Sequence, residues 1–143
     1  MLTRKQKHIL IKFFSMFSVV RGYNILVVVL AQYLASIYIF ASDKPLKNVL
    51  FDVNLLMLVL ATAAVIAGGY IINNFYDAET DKINKPVKSK IDAIVSQKTK
   101  LPFYFALNFI GVVIDFFVSW SAALFFSVYI VLIWFYSHSL KKY

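Results

Sequence analysis

The chain has 143 residues, of which 61% are apolar, 17% aromatic and only 15% charged. A typical soluble domain has about 25% charged residues, so this composition excludes a disordered segment, a nucleic-acid-binding module and an ordinary soluble enzyme. Cysteine is absent, which excludes disulfides, thiolate metal sites and cysteine nucleophiles. The net charge of +8 comes from basic residues at the ends of apolar blocks, which indicates membrane boundaries rather than a nucleic-acid surface.

Four apolar segments predict four transmembrane helices, because a spanning helix needs about 20 apolar residues. The predicted spans cover residues 22–41, 53–76, 101–118 and 121–138. The last two share one apolar stretch that would be ~60 Å long as a single helix, about twice the thickness of the hydrocarbon core. A tight reversal near 119–121 is expected to divide it. The predicted fold is an all-α polytopic membrane protein with a single transmembrane domain over residues 1–143.

Lysine and arginine predict the orientation of these spans. Five of them precede the first span, six lie in the predicted loop 77–100 and two follow the last span, whereas the first connection has two and the third has none. Cytoplasmic connections are enriched in basic residues. We therefore expect both termini and the loop 77–100 on the cytoplasmic side, in a cell inner membrane. The basic N-terminal segment is expected to be an amphipathic interfacial helix rather than a cleaved signal.

The chemistry is predicted at the end of the second span. Asn73, Asp77 and Asp81 are spaced by four residues, so they share one face of a continuing helix. Carboxylates at i and i+4 repel each other by a few tenths of a kcal/mol, and a divalent cation would reverse that effect. Mg²⁺ prefers carboxylate and amide oxygens together with substrate phosphates. The alternative interpretation is a solvated helix end with mixed charges.

The segment from Asn73 to Asp81, followed by Asn84-Lys85-Pro86, closely resembles the first aspartate motif of the UbiA superfamily of intramembrane prenyltransferases. Arg21-x-x-Asn24 is similar to the pattern that opens the family's first helix, and residues 136–142 are similar to the pattern that closes its fourth. Family members also have a second aspartate motif in their C-terminal half, which this chain lacks. The resemblance therefore implies the N-terminal half of a UbiA-like helical bundle: a truncated gene product, a fragment, or one part of a split enzyme whose partner is a C-terminal half or segment.

The resemblance implies Mg²⁺-dependent transfer of a prenyl group from an allylic prenyl diphosphate to a lipophilic acceptor in the bilayer, with no nucleic acid involved. The acceptor would be an isoprenyl glycerol phosphate or an aromatic quinone precursor, and the local sequence looks closest to members that act on the former. Asp77 and Asp81 would be the catalytic residues and would hold Mg²⁺ together with Asn73. By motif match, the substrate-binding residues would be Arg21, Asn24, Lys85, Lys88, Tyr136 and Lys141.

These motif matches also have structural alternatives. Arg21 and Lys141 can serve as charged anchors at the membrane boundary, Asn24 as an interhelical hydrogen-bonding residue and Tyr136 as an interfacial aromatic. Because the second motif is missing, the chain alone is expected to be inactive, and a non-catalytic four-helix scaffold with a relic motif stays open. A small transporter is a third class. It would use Asp115, an ionisable residue within an apolar segment, although its place near the predicted reversal gives it access to water at the outer boundary.

Overall fold

The protein, as a computed structural model, is described over residues 1–139, and every regular element in that range is helical. In chain order the elements are α1 (Arg4–Val19), α2 (Gly22–Ala35) with a π-helical continuation (Ser36–Phe40), α3 (Leu46–Leu50), α4 (Val53–Asn84), α5 (Pro86–Asp92), α6 (Gln97–Val118) and α7 (Trp120–His138). Four helices within residues 1–139 are long and apolar enough to cross a membrane: α2 with its continuation, α4, α6 and α7. The predicted all-α polytopic fold with four spanning helices is confirmed.

The helix bounds differ from the predicted spans mainly at the end of α4. This helix continues to Asn84, eight residues past the predicted end of the second span at 76. The segment 77–100, predicted as a loop, therefore holds the end of α4, all of α5 and the start of α6. Pro86 is the first helix-breaking residue after the span, and it occupies the start of α5, where its missing N–H is not needed.

The reversal between the last two spans lies at its predicted place. Ser119 alone separates α6 from α7. Its hydroxyl accepts a hydrogen bond from the Ala122 amide at 3.0 Å and so caps the N-terminus of α7. The N-terminus of α4 is capped in the same way by the Asp52 carboxylate, which accepts from the Asn54 amide at 2.9 Å. These two caps fix where the second and fourth spans begin.

Helix α4 is the central element of the bundle and packs most extensively against α6. A Cβ added at Gly111 of α6 would lie 2.7 Å from Val65 Cγ2 and 3.3 Å from the Ala61 carbonyl oxygen of α4. Small residues allow membrane helices to approach this closely. On the other side of α4, Gln32 Nε2 donates a hydrogen bond to Thr62 Oγ1 at 3.0 Å and links α2 to the same helix.

The spanning helices alternate in direction, so α2 and α6 begin, and α4 and α7 end, at one end of the bundle, which we call the motif end. With 32 residues, α4 is about 48 Å long, against a hydrocarbon core of about 30 Å. Its last three turns, with Asp77 and Asp81, therefore project beyond the apolar region. Asp115 lies at the opposite end of α6. It is fully buried and does not reach water as its position had suggested.

Candidate functional site

The motif residues lie on an unbroken stretch of α4. Asn73, Asp77 and Asp81 are all partly exposed. Because four residues advance an α-helix by slightly more than one turn, each step of four shifts the side chain about 40° around the axis. Asn73 consequently lines a cavity towards α2 and α7, and Asp81 lines a second cavity towards α5 and α6. Asp77 lies between them in the helical register.

The first cavity, here the tyrosine cavity, has a volume of about 260 Å³ and lies between α2, α4 and α7. Its polar lining comprises Tyr70, Asn73, Tyr129, Tyr136 and Ser137, and Val28, Ile66 and Ile133 contribute apolar walls. Asn24 Nδ2 donates a hydrogen bond to the Tyr70 hydroxyl at 3.3 Å. The Arg21 guanidinium lies 5.3 Å from the centroid of the same ring, within cation–π range. Of the predicted site residues, Asn73 and Tyr136 thus line this cavity, and Arg21 and Asn24 contact Tyr70 in its wall.

Arg21 occupies a strained position at this cavity. Its φ of 50° and ψ of 59° place it in the left-handed region, between the end of α1 and the start of α2. A non-glycine residue in this conformation costs about 1–2 kcal/mol, and such strain is concentrated at functional sites. The left-handed backbone of Arg21 between α1 and α2 accompanies the placement of its guanidinium over Tyr70.

The second cavity, here the α5 cavity, has a volume of about 180 Å³ and lies between the end of α4, α5 and the start of α6. Its lining includes Asn74, Asp81, Asp92 and Lys100. The Asp92 Oδ2 atom accepts hydrogen bonds from Lys88 Nζ at 2.6 Å and from Asn74 Nδ2 at 2.9 Å. Lys88, predicted to bind substrate phosphate, therefore has an ion-pair partner within the protein.

The donor set at the motif suits a hard cation. Residues 1–139 contain no group of three or more His, Cys, Asp or Glu side chains that could enclose a metal ion. A metal held here would depend on the Asp77 and Asp81 carboxylates, the Asn73 amide oxygen and oxygens from a substrate. Mg²⁺ commonly binds proteins in this way, through one or two carboxylates plus phosphates. The residues present therefore fit Mg²⁺ with a diphosphate better than a closed all-protein metal site.

The sequence profile of the UbiA prenyltransferase family matches residues 28–143. The chain belongs to the UbiA prenyltransferase family. The matched region includes α4 with its aspartate motif, both cavities described above and the end of α7. The family assignment made from the short motifs is confirmed.

Several curated relatives match this chain over part of their length. The digeranylgeranylglyceryl phosphate synthase of Sulfurisphaera tokodaii is 25% identical over 126 residues, which cover 88% of this chain and 43% of the relative. The same-named enzyme of Ignicoccus hospitalis is 35% identical over 57% of this chain and 27% of its own length. The protoheme IX farnesyltransferase of Oceanobacillus iheyensis is 36% identical over 49% of this chain and 23% of its own. The chain thus spans less than half the length of these relatives.

A solved structure from work on digeranylgeranylglyceryl phosphate synthase in membranes has the same fold. It matches this UbiA chain with a TM-score of 0.72 and 23% sequence identity over 92% of this chain and 45% of that one. The likeness establishes the helical arrangement of the family over nearly the whole chain. It agrees with the predicted UbiA-like bundle and with an integral membrane protein.

The remaining predicted residues have different positions. Lys85 is exposed and separates α4 from α5, next to the motif, whereas Lys141 lies outside the described residues. Sequence reasoning gave no role to Tyr70, although it precedes Asn73 by three residues and so lies on a neighbouring part of the same helix face. It also missed Asn74, Asp92 and Lys100. The spacing of Lys88 and Asp92 by four was the available signal for an ion pair, and nothing in the local pattern indicated its burial.

Proposed function

We propose that this chain forms the Mg²⁺- and diphosphate-binding half of a membrane prenyltransferase, which transfers a prenyl group from an allylic prenyl diphosphate to a lipophilic acceptor. The observation that carries the proposal is the unbroken end of α4, which presents Asp77 and Asp81 beyond the apolar region at the motif end, with Asn73 one turn earlier on the same helix. Arg21 and Asn24 lie beside the same helix through Tyr70. A charged leaving group and two lipophilic substrates require this combination of polar helix end and membrane.

The motif would bind the leaving group. We assign Asp77 and Asp81 to Mg²⁺, with Asn73 supplying an amide oxygen. When bound, Mg²⁺ would neutralise the diphosphate and polarise the breaking C–O bond as a Lewis acid. Lys85, exposed just after the motif, is the proposed amine contact to phosphate oxygens. Lys88 is not assigned to this set because its amine is paired with Asp92.

The tyrosine cavity would receive the organic part of the reaction. Its apolar walls suit the allylic end of the prenyl chain, and the faces of Tyr129 and Tyr136 would stabilise positive charge that develops when the C–O bond breaks. A cation–π contact contributes about 2 kcal/mol when water is excluded. Arg21 and Asn24 would act at the polar mouth, where acceptor and diphosphate meet. We propose that this mouth and both termini face the cytoplasm of a cell inner membrane, in line with the excess of lysine and arginine there.

An isoprenyl glycerol phosphate is the proposed acceptor. Two of the three relatives described above are named digeranylgeranylglyceryl phosphate synthase, which favours this lipid over an aromatic quinone precursor. Membranes that contain the protein, from its natural host, would be supplied with radiolabelled prenyl diphosphate and each acceptor in turn. The proposal predicts label in the glycerol phosphate product only, dependent on Mg²⁺. Label in the phenolic acid alone would overturn the acceptor assignment.

The enzymatic proposal is tested separately from the acceptor. Purified protein in lipid nanodiscs would be titrated with a prenyl thiodiphosphate, which resists cleavage, with Mg²⁺ or with EDTA. We expect saturable binding that EDTA and Asp77→Asn abolish and that Glu79→Gln leaves unchanged, because the Glu79 carboxylate is largely exposed and pairs with Lys82. A non-catalytic scaffold with a relic motif predicts no Mg²⁺-dependent binding in any of these variants, which would contradict the proposal.

A further inference from the structure

A buried polar cluster lies next to the motif and is separate from the proposed Mg²⁺ ligands. It consists of Asp92, Lys88 and Asn74, and we call it the Asp92 clasp. Asp92 is only 3% exposed and Asn74 only 7%. The Asp92 Oδ2 atom accepts from both partners, at 2.6 Å from Lys88 Nζ and 2.9 Å from Asn74 Nδ2. One carboxylate oxygen thus joins α5 to the motif helix.

The clasp also reaches α1. Lys88 Nζ donates a second hydrogen bond to the Ser18 carbonyl oxygen at 3.3 Å. Three residues earlier in the same helix, the Ser15 hydroxyl donates to the Ile91 carbonyl oxygen at 2.6 Å. Helix α5 is therefore held on one side by α1 and on the other by α4.

Stability alone does not explain an ion pair at this place, because the Asp92 side chain is buried although the Lys88 side chain is 32% exposed. Desolvating the Asp92 carboxylate offsets much of its attraction to the amine, and a well-packed apolar pair is commonly as stable or more stable. The Oδ1 atoms of both Asp92 and Asn74 are buried without a hydrogen-bond partner in the described residues, which adds a further cost. The cluster does provide a directional contact, because the hydrogen bond from Asn74 to Asp92 defines the rotation of α4 relative to α5.

That rotation bears directly on the motif. Asn74 follows Asn73 in the chain, and Asp81 lines the α5 cavity together with Asn74 and Asp92. The side chain of Lys100, from α6, is also almost fully buried and lines this cavity. A change in the α4–α5 contact would therefore move the Asp81 carboxylate, and the Asn73 amide next to Asn74, relative to a bound diphosphate.

We propose that Asp92 and Lys88 are positioning residues that fix the end of α4 so that its motif can bind Mg²⁺ and diphosphate. The inference rests on the proposed function. It assigns the Lys88 amine to the contact with Asp92, and it predicts that this amine does not bind substrate phosphate. Residues that orient metal ligands without touching the metal typically contribute a factor of 10–100 in metal affinity or activity.

A double-mutant cycle tests the assignment. The single variants Asp92→Asn and Lys88→Met and the double variant would be titrated in nanodiscs with Mg²⁺ and prenyl thiodiphosphate. We expect each single variant to weaken binding by about 10–100-fold and the double variant to bind no more weakly than either single one, because both changes remove the same contact. If Lys88 instead binds phosphate directly, Lys88→Met will abolish binding while Asp92→Asn, which releases the amine, will preserve it. That result would overturn the proposal.

A matched control is the exposed pair of Glu79 and Lys82 on the same stretch of α4, with 2.8 Å between Oε1 and Nζ. Removing this pair with Glu79→Gln and Lys82→Gln is expected to leave ligand affinity within twofold of wild type. If Asp92→Asn and Lys88→Met change ligand affinity by no more than these control substitutions do, the positioning role is refuted.

A second measurement needs no ligand. Since the natural sequence has no cysteine, nitroxide labels can be attached at Leu10→Cys in α1 and Ile83→Cys in α4, both exposed. Asp92→Asn is expected to broaden the distance distribution between the labels. Broadening with unchanged ligand affinity would refute the positioning role and leave the proposed function intact. Failure of the wild type to bind the analogue would instead refute the proposed function, and the positioning role with it.

Discussion

The close approach of α4 and α6 predicts a difference between two glycine-to-alanine substitutions. A Cβ at Gly111 would lie 2.7 Å from Val65 Cγ2 and 3.3 Å from a backbone oxygen, the Ala61 carbonyl, so the helices would have to shift. At Gly69 on α4, the nearest atom to an added Cβ is Ile133 Cγ2 at 3.4 Å, an ordinary contact. Both substitutions gain about 1 kcal/mol from the higher helix propensity of alanine. The comparison therefore isolates the steric cost at Gly111.

Overpacking a well-packed core typically costs about 1–3 kcal/mol. We expect Gly69→Ala to be more stable than wild type by up to about 1 kcal/mol and Gly111→Ala to be less stable than Gly69→Ala by about 1–3 kcal/mol. The assay is reversible unfolding in mixed micelles with increasing sodium dodecyl sulfate, followed by far-ultraviolet circular dichroism. Equal free energies of unfolding for the two variants would refute the close helix contact on which the central position of α4 depends.

Two further substitutions test other contacts by the same unfolding assay. Arg21→Gly removes a backbone strain of about 1–2 kcal/mol and a cation–π contact with Tyr70 of about 0.5–1 kcal/mol, so the free energy of unfolding should change by less than about 1.5 kcal/mol. The affinity for prenyl thiodiphosphate should fall. Unchanged affinity would show that Arg21 is not part of the binding site. Thr62→Val breaks the hydrogen bond from Gln32 and should cost about 0.6 kcal/mol, the average for such bonds between membrane helices. A cost above about 2 kcal/mol would show that this bond is not an ordinary interhelical contact.

The fold followed from the sequence because membrane burial leaves few alternatives. Apolar length alone specifies a spanning helix, and the four predicted spans appear as helices. The reversal at Ser119 was also predictable, since one apolar stretch was too long for a single crossing. The end of α4 was not, because hydropathy marks where the apolar residues stop and not where the helix stops. Polar residues up to Asn84 are compatible with helix, and only Pro86 prevents its continuation.

The candidate site was predictable where a local motif carries it and unpredictable where distant segments meet. The spacing of Asn73, Asp77 and Asp81 predicted one shared helix face, whereas the shift of about 40° at each step of four residues places Asn73 and Asp81 in two different cavities. The partners of Lys88 come from α1, α4 and its own helix, and no local pattern records such an arrangement. The motif match assigned Lys88 to substrate phosphate, and lysines in a basic segment usually stay in water, so its contact with Asp92 was not expected.

The surroundings of Asp115 also could not be predicted from the local sequence. Its carboxylate oxygens are buried without a hydrogen-bond partner among residues 1–139, at the end of the bundle away from the motif. A transporter would need a chain of polar groups through the membrane, and the buried Asp115 carboxylate has no hydrogen-bonded neighbour among residues 1–139 that would begin one. The geometry therefore gives Asp115 no place in the proposed reaction.

The central claim is that the motif residues Asn73, Asp77 and Asp81 bind a divalent cation together with a diphosphate. Mn²⁺ replaces Mg²⁺ at oxygen-rich sites and is paramagnetic, so bound ions can be counted by electron paramagnetic resonance with the protein in nanodiscs. We predict bound Mn²⁺ in the wild type and in Glu79→Gln when prenyl thiodiphosphate is added, and its loss in Asp77→Asn and Asp81→Asn. Undiminished Mn²⁺ binding in both aspartate variants would contradict the account.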